Sequence, residues 1–162
     1  MREWKKIGCA IDFSEPSRTA MEEAAMLARR LGATLTILHV VAPLPAIAEG
    51  VQISSHLVSD IVAAEHEDAL SRWRADAEAS AGAEVGSKLL FGSPAEEIVR
   101  HAREEGYDVL VVGSHGRSGL SRVLLGSVAE HVLRHAGRPV LVIRDHEIAE
   151  RDAAAEEAAQ YH

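Results

Sequence analysis

Short apolar runs alternate with longer helical patterns along the whole chain, and this alternation restricts the possible fold more than any other feature. The runs have the length and the Val, Ile and Leu content of buried strands, and they cover residues 7–11, 34–41, 85–91, 109–112 and 139–143. Because a helical segment joins each strand to the next, the strands are expected to pair in parallel through right-handed crossovers. The sequence therefore predicts an α/β, Rossmann-like fold: a single open five-stranded parallel sheet with helices on both faces. The alternation does not by itself determine the order of the strands, and we adopt the order 3-2-1-4-5 for this sheet.

Capping residues indicate where the first, third and fourth helices begin. Ser14 is expected to cap the first helix, which ends at Gly32. The predicted buried face of this helix comprises Met21, Ala24, Ala25, Ala28 and Leu31. Ser93 and Ser127 are each followed by a glutamate three residues later, which is the spacing of a capping box. Each serine is therefore predicted to cap a helix.

The segment between the second and third strands is divided by its composition. Residues 44–59 are expected to form a loop, and residues 61–81 a long helix with many charges. The apolar positions of this helix are Ile61, Ala64, Ala69 and Trp73. Trp73 is compatible either with the core or with a surface that contacts a partner, and the sequence leaves both alternatives open.

The pattern Gly113-x2-Gly116-x9-Gly126-Ser127 follows the fourth strand and leads into the fourth helix. A glycine has no Cβ, so backbone N–H groups at these positions are able to approach an anion closely. Gly126 and Ser127 are expected to offer unpaired amides at the positive dipole end of the helix. This arrangement predicts a cradle for nucleotide phosphates. The alternative is purely structural: the glycines shape a turn, and the serine caps a helix.

Three separate segments point to the same place in the predicted sheet. Asp12 ends the first strand, Val40 lies at the end of the second, and Gly113 follows the fourth. In an open α/β sheet, ligands bind beyond the carboxyl ends of the strands, where the strand order reverses. In the order 3-2-1-4-5 all three residues meet at one crevice, between the first and fourth strands.

Two common nucleotide-binding motifs are absent from the sequence. There is no Gly-x-x-x-x-Gly-Lys-Ser/Thr pattern of a P-loop, and no Gly-x-Gly-x-x-Gly of a dinucleotide site follows the first strand. The glycine loop contains no lysine to bridge phosphates and no evident residue to position an attacking water. We therefore assign no catalytic residue and expect no fast enzyme, while slow ATP hydrolysis stays open.

Charge and hydropathy exclude other classes of partner. With 17 basic and 25 acidic residues the net charge is −8, which argues against a general binder of nucleic acids or anionic membranes. Arginines nevertheless cluster near the glycine loop, at positions 117, 122, 134 and 138, which suits a small anion. No signal peptide is apparent, and no apolar run reaches about 20 residues, so a cytoplasmic protein without membrane insertion is expected. The single Cys9 is expected to be a buried thiol.

Three segments of the chain resemble the universal stress protein family, and the resemblance extends over residues 4–144. They are Asp12-Phe13-Ser14 after the first strand, Leu38-His39-Val40 in the second strand, and the unbroken run from Gly113 to Glu130. Because every glycine of the loop pattern is retained, the chain resembles the ATP-binding branch of that family.

The resemblance implies a ligand and the residues that hold it. The ligand is ATP, or ADP or AMP, with Mg²⁺ carried on the phosphates because no protein cage for it is evident. Asp12 and the backbone of Val40 are expected to contact the adenosine part. The residues expected around the ribose and the phosphates are Gly113, His115, Gly116, Arg117, Gly126, Ser127 and Val128. Ala10 and Val112 complete the predicted ATP-binding set.

Histidines of the chain are assigned structural roles in preference to catalytic ones. His39 lies in an apolar strand and is expected to be a hydrogen-bonded residue of the core or of the pocket rim. For His115, within the predicted cradle, positioning the loop or contacting phosphate is favoured over general-base catalysis. His131 and His135 lie four residues apart on the fourth helix, but without a third ligand a solvated helix face is favoured over a metal site.

The resemblance also implies a function and an assembly. Residues 1–145 are expected to form the nucleotide-binding domain, and residues 146–162 an acidic tail, helical or disordered. The fifth strand is expected at a sheet edge, where it pairs with its copy in a homodimer unless the tail covers it. The pairing residues are Val140, Leu141, Val142 and Ile143. The expected function is that of an ATP-binding regulatory or stress-tolerance protein. The alternatives are an enzyme using ATP for adenylyl or phosphoryl transfer, and a nucleotide-free protein-interaction module.

Overall fold

The described residues form an open parallel sheet with helices on both of its faces. The computed structural model describes residues 3–43, 55–115 and 125–144. Along the chain the elements are β1 (Lys6–Ile11), α1 (Glu15–Leu31), β2 (Thr34–Val41), α2 (Ser55–Ala81), β3 (Val85–Phe91), α3 (Pro94–Glu105), β4 (Val109–Gly113), α4 (Ser127–His135) and β5 (Val140–Ile143). The strands pair in parallel in the order β3-β2-β1-β4-β5, which confirms the predicted topology.

The register of β1 brings three strand ends to one edge of the sheet. Ala10 lies opposite Leu38 of β2 and Val112 of β4, and Ile11 lies opposite His39. The segments that follow β1, β2 and β4 therefore leave the sheet side by side. An open α/β sheet forms its ligand crevice at such a position.

Strand residues pack against two separate helical layers. Ile7, Cys9 and Ile37 are fully buried in the cluster that includes α1 and α2. Leu38 and Leu110 are fully buried on the other face, against α3 and α4. Each buried aliphatic side chain contributes about 1.5–3 kcal/mol by leaving water.

Burial also raises the pKa of the Cys9 thiol to about 12, so the thiol stays protonated, as expected of a structural cysteine.

The helix ends follow the predicted caps only in part. Ser14 caps α1 by accepting a hydrogen bond from the amide of Ser17 at 3.4 Å, and Gly32 ends the helix in the left-handed conformation (φ 62°). Ser93 is the N-cap residue of α3, as predicted, but the two predicted capping boxes are wrong, because among the described residues no side-chain hydrogen bond caps α3 or α4. Pro94 begins α3 with its φ already fixed and no N–H to satisfy. In α4 the N-cap is Gly126, one residue before the predicted serine.

Helix α2 begins earlier than predicted and turns a different face to the core. Residues 55–59, expected in a loop, belong to this helix, while 44–54 lie outside the described residues. Trp73 is 8% exposed, so the tryptophan belongs to the core. At about 100° per residue, Ile61 lies roughly 120° around the helix from Trp73, and Ala64 lies on the opposite side. Both of these predicted apolar positions are exposed.

The end of α1 also departs from the prediction. Leu31 is 47% exposed, although the other predicted members of its helix face are buried. The helix has 17 residues and the strand β1 beneath it has six, so about 25 Å of helix covers about 20 Å of strand. The last turn therefore extends past the surface on which α1 packs.

His101 is a buried histidine of α3 that carries a stability penalty in acid. It is 6% exposed, and its Nε2 lies 3.4 Å from the hydroxyl of Tyr107. Burial lowers the pKa of His101 below its ordinary value of 6.5, and the nearby carboxylate of Glu105 opposes the shift. The folded protein thus takes up this proton less readily than the unfolded chain does.

We expect acid to destabilise the protein partly through His101. Above its ordinary pKa of 6.5 the residue is neutral in both states and does not affect stability. As the pH falls through that value, the unfolded chain binds the proton first, so the free energy of unfolding decreases until the folded state is protonated as well. His101→Leu does not titrate and should lose less Tm than the wild type on acidification from neutral pH. Equal losses in thermal unfolding would contradict this prediction.

Candidate functional site

An open cavity of about 470 Å³ lies at the sheet edge where β1, β2 and β4 end. This volume is in the range of sites that enclose a small molecule. The lining includes every described member of the residue set predicted from the sequence: Ala10, Asp12, Val40, Val112, Gly113, His115, Gly126, Ser127 and Val128. The remaining predicted residues, Gly116 and Arg117, lie outside the described residues.

The amino end of α4 forms one end of the cavity and presents backbone donors. The first helical hydrogen bond runs from the amide of Glu130 to the carbonyl of Gly126 at 2.9 Å. Within the part of the chain that the structure describes, the amides of Ser127, Val128 and Ala129 have no protein acceptor. Together with the positive end of the helix dipole, these amides form a site suited to an anion.

Ser114 links the end of β4 to β5 and to the N-cap of α4, although only its place inside the glycine pattern marks it in the sequence. It is fully buried; its amide donates to the carbonyl of Ile143 at 2.8 Å, and its carbonyl accepts from the amide of Gly126 at 2.6 Å. Its hydroxyl lies 3.0 Å from Nδ1 of His115. The Gly126 amide is therefore not one of the unpaired donors that the sequence predicts, and those donors begin one residue later.

Gly113 lies where two backbones approach closely, which favours glycine over a residue with a side chain. A Cβ at this position would lie 3.0 Å from the carbonyl oxygen of Pro16, near the start of α1. A backbone oxygen is less able to move away than the end of a flexible side chain. The first glycine of the loop pattern therefore allows β4 to pack against α1, a role that is independent of any ligand.

Asp12 follows β1 and is oriented by the start of α1. Its Oδ1 accepts hydrogen bonds from the amide of Ser14 at 3.0 Å and from the Ser14 hydroxyl, and its own amide donates to the Ser17 hydroxyl at 3.2 Å. The adjacent Phe13 has a left-handed backbone conformation (φ 63°), which is uncommon for a residue other than glycine. The turn brings Asp12 into the cavity lining and the Phe13 ring to 5.4 Å from that of Trp73.

Away from α4 the cavity wall is mainly apolar. The residues that form it come from three strands, two helices and the position just after β2: Ala10, Val40, Val41, Ala42, Val62, Pro94, Ile98 and Val112. Such a wall, with few polar groups, suits a flat organic ring. Val62 of α2 and Ile98 of α3 are not predicted from the sequence, because strand ends identify the edge of a sheet but not the helix side chains that reach it.

Two histidines, one from β2 and one from α2, meet in the same cavity lining. His39 is 4% exposed; its Nδ1 lies 2.9 Å from the carbonyl oxygen of Ile11, and its Nε2 lies 2.8 Å from Nδ1 of His66. The predicted hydrogen-bonded position of His39 is confirmed. His66 is not predicted, although it shares one helix face with Val62 and Trp73, four and seven residues away.

The described arginines near the loop do not line the cavity. Arg134 is paired with Glu130 at 2.8 Å on the exposed face of α4, and Arg138 donates to the backbone carbonyls of Tyr107 and Ala136. Of the predicted basic cluster, positions 117 and 122 lie outside the described residues. Among the described residues, the groups suited to an anion are therefore backbone amides at the positive end of the helix dipole.

His131 and His135 form a pair on the surface of α4. Their ring centroids are 4.2 Å apart, and Nδ1 of His135 lies 2.9 Å from the carbonyl oxygen of His131. Residues 3–43, 55–115 and 125–144 contain no group of three or more His, Cys, Asp or Glu side chains able to hold a metal ion. His135 is exposed and His131 is partly exposed, so the pair lies on the surface of the helix.

Comparison with known proteins agrees with this architecture. The sequence model of the universal stress protein family matches residues 3–144. Universal stress protein YxiE of Bacillus subtilis is 34% identical over 147 residues, which cover 87% of this chain and 99% of YxiE. The structure of universal stress protein UspA from Lactobacillus plantarum matches with a TM-score of 0.75 and 26% identity, covering 89% of this chain and 100% of that one.

A further similar structure is a universal stress protein from Archaeoglobus fulgidus in complex with dAMP. It matches with a TM-score of 0.62 and 26% identity, and the match covers 88% of this chain and 99% of that one. The similarity thus extends over nearly all of the described residues. The chain belongs to the universal stress protein family.

Proposed function

We propose that this protein binds an adenine nucleotide, with ATP as the first candidate, in the cavity at the carboxyl ends of β1, β2 and β4. The observation that carries the proposal is that separate elements line one cavity whose two ends differ chemically. At α4 the cavity has amides with no acceptor among the described residues, and at β2 it has an apolar wall. A relative with 26% identity forms a complex with dAMP, which supports a nucleotide ligand. We infer a regulatory or stress-tolerance role that depends on the bound nucleotide.

The α4 end of the cavity suits the phosphates. The amides of Ser127 and Val128 are available to anionic oxygens, and Gly116 and Arg117 are proposed to complete this end. Hydrogen bonds to charged groups contribute about 1.5–3 kcal/mol each. A few of them, after the costs of ordering and desolvation, are enough for micromolar binding, about −8 kcal/mol. Mg²⁺ is proposed to arrive with the phosphates as their counterion.

The opposite end suits the nucleoside. The carboxylate of Asp12, held by the turn before α1, is an acceptor for a ribose hydroxyl or for the adenine amino group. Val40 offers backbone groups at the end of β2, and Ala10 and Val112 form part of the apolar surface beneath the base. A purine ring fits this combination, because it has apolar faces and polar edges.

Rapid turnover is not part of the proposal. Fast phosphoryl transfer needs groups that position the attacking water and neutralise the developing charge. His115 is 7% exposed and its Nδ1 lies beside the Ser114 hydroxyl, an arrangement that favours holding the loop over activating a water. We expect at most slow ATP hydrolysis.

The nucleotide content of the purified protein tests the proposal directly. Protein prepared without added nucleotide is denatured, and the released small molecules are identified by chromatography and mass spectrometry. We expect ATP, ADP or AMP in an amount comparable to the protein, or micromolar binding of ATP with Mg²⁺ to empty protein in calorimetry. Protein that is empty and does not bind ATP would overturn the proposal in favour of a nucleotide-free interaction module.

We expect Ser127→Pro to isolate the contribution of a single amide donor. Ser127 is the first residue of α4, where proline is tolerated, and Gly126 has the extended conformation (φ −69°, ψ 155°) that a following proline favours. The substitution removes one N–H without breaking a helical hydrogen bond. ATP affinity should fall by about tenfold in calorimetry, whereas adenosine affinity should not change.

Ser127→Ala is the matched control for this variant, because it removes the hydroxyl but keeps the amide. Thermal unfolding of both variants checks that the fold is retained. If Ser127→Pro binds ATP as tightly as the alanine variant does, the phosphates do not contact this amide.

We also propose that β5 pairs with its copy in a homodimer. The strand forms one edge of the sheet, and its four residues are only partly buried: Val140, Leu141, Val142 and Ile143. The amide of Leu110 donates to the carbonyl of Pro139, and the amide of Ser114 donates to that of Ile143. The backbone N–H and C=O groups of the odd-numbered residues therefore point toward β4. The N–H and C=O groups of Val142 point in the opposite direction, outward from the edge of the sheet, where a pairing strand would lie.

We expect Val142→Pro to yield a monomer, because proline removes the outward N–H and is tolerated on an edge strand. Size-exclusion chromatography with light scattering should give about twice the chain mass of 17.4 kDa for the wild type and the chain mass for the variant. Circular dichroism checks that the variant is folded. A wild-type monomer at micromolar concentration would contradict the proposed dimer.

The proposed nucleotide-binding domain comprises residues 1–145, while the acidic tail, 146–162, lies outside the described residues. Within the described residues, no helix combines the length and the apolar character needed to cross a membrane. A cytoplasmic location stays a prediction from the sequence.

A further inference from the structure

The hydrogen bonds of His39 and His66 have a defined direction. Nδ1 of His39 lies 2.9 Å from the carbonyl oxygen of Ile11, which only accepts, so Nδ1 carries a proton. When the ring is neutral, its Nε2 is an acceptor, and Nδ1 of His66, 2.8 Å away, donates to it. A neutral His66 then has its lone pair on Nε2. The carbonyl of Ile11 thus determines, through His39, which nitrogen of His66 is the acceptor.

Aromatic packing holds both rings in this arrangement. Their planes are 15° apart and their centroids 4.9 Å apart, which is the geometry of an in-plane N–H···N bond and not of face-to-face stacking. The Phe13 ring lies 4.1 Å from the centroid of His39 and 6.1 Å from that of His66. Trp73 meets Phe13 edge-on, and the Arg18 guanidinium lies 4.2 Å from the centre of the Trp73 ring. The pair is therefore preorganised by the core beside it.

Nε2 of His66 is left for a ligand. His66 lines the cavity, as Asp12 does, and is half-buried. Among the described residues this nitrogen has no hydrogen-bond partner, and none of their unpaired side-chain nitrogen or oxygen atoms is buried. Nε2 is therefore accessible to solvent, on a residue that forms part of the cavity wall.

We propose that His66 is a specificity-determining residue of the nucleotide site, which accepts a hydrogen bond at Nε2 from the nucleoside part of the ligand. His39 is its positioning residue. This inference rests on the proposed nucleotide binding. With the phosphates at α4, the nucleoside faces the end that contains Asp12 and His66, and both of these side chains are acceptors. That end selects a donor: the 6-amino group of adenine or a ribose hydroxyl.

Calorimetry of the full chain with ATP and its analogues distinguishes the two donors. ITP has an oxo group in place of the 6-amino group, and 2′-deoxy-ATP and 3′-deoxy-ATP each lack one ribose hydroxyl. At mildly alkaline pH, where imidazoles are neutral, the wild type should bind the analogue that lacks the donor about tenfold more weakly than ATP. His66→Leu should bind ATP about tenfold more weakly than the wild type does, but should bind that analogue with the affinity of the wild type. The discrimination between ATP and the analogue then disappears.

Three further variants separate this role from a loss of structure. His66→Gln retains an acceptor and should keep part of the discrimination. His39→Leu should reduce the discrimination, because the proton of His66 is then no longer held on one nitrogen. His135→Leu makes the same change at an exposed position of α4 that does not line the cavity, and it should leave all affinities unchanged.

Nitrogen-15 NMR of the imidazoles reports which ring nitrogen carries the proton and whether the ligand contacts Nε2. If His66 had only a structural role, ligand contact at this nitrogen would not be expected. We expect both His39 and His66 to carry the proton on Nδ1, and ATP to shift the Nε2 resonance of His66 more than the weaker analogue does. The inference is overturned if His66 carries its proton on Nε2, or if His66→Leu weakens ATP and all the analogues by the same factor. A wild type that binds no adenine nucleotide would overturn the proposed function, and this inference with it.

Discussion

Parallel pairing of β1 with β2 on one side and with β4 on the other determines where a ligand can lie in this protein. Because parallel strands run in one direction, their carboxyl ends meet at the same edge of the sheet. The helix that follows β1 packs on one face and the helix that follows β4 packs on the other, so a crevice opens between their first turns. The cavity is thus a consequence of the topology.

The same backbone contacts hold the fold together and shape the site. Gly113 allows β4 to approach the start of α1, and Ser114 ties the next turn to both Ile143 and Gly126. These bonds determine where α4 begins, and therefore which of its amides lack an acceptor. A helix end with unsatisfied donors at a cavity is unfavourable unless water or an anion reaches it. The contacts of Ser114 and the exposure of these donors to the cavity are therefore parts of one arrangement.

The two ends of the cavity have opposite hydrogen-bonding character. The α4 end presents donors from the backbone, whereas Asp12 and His66 present acceptors beside an apolar wall. A nucleotide has the complementary order, with accepting phosphates at one end and donating groups on the nucleoside at the other. The aromatic residues Phe13 and Trp73 fix the acceptor end in place, so the polarity of the cavity is built into the core.

The sequence by itself determined the five strands, their parallel pairing and most of the cavity lining at the strand ends, because strand runs, the helical segments between them and the glycine pattern are local signals. The tertiary structure alone decided that Ile61 of α2 is exposed while His66 reaches the cavity, because the docked face of a helix depends on packing against distant residues. It also decided that the Gly126 amide is engaged by Ser114 and that no side-chain bond caps α4. A local cap competes with partners that are brought near only by folding, and the chain sequence does not show which partner prevails.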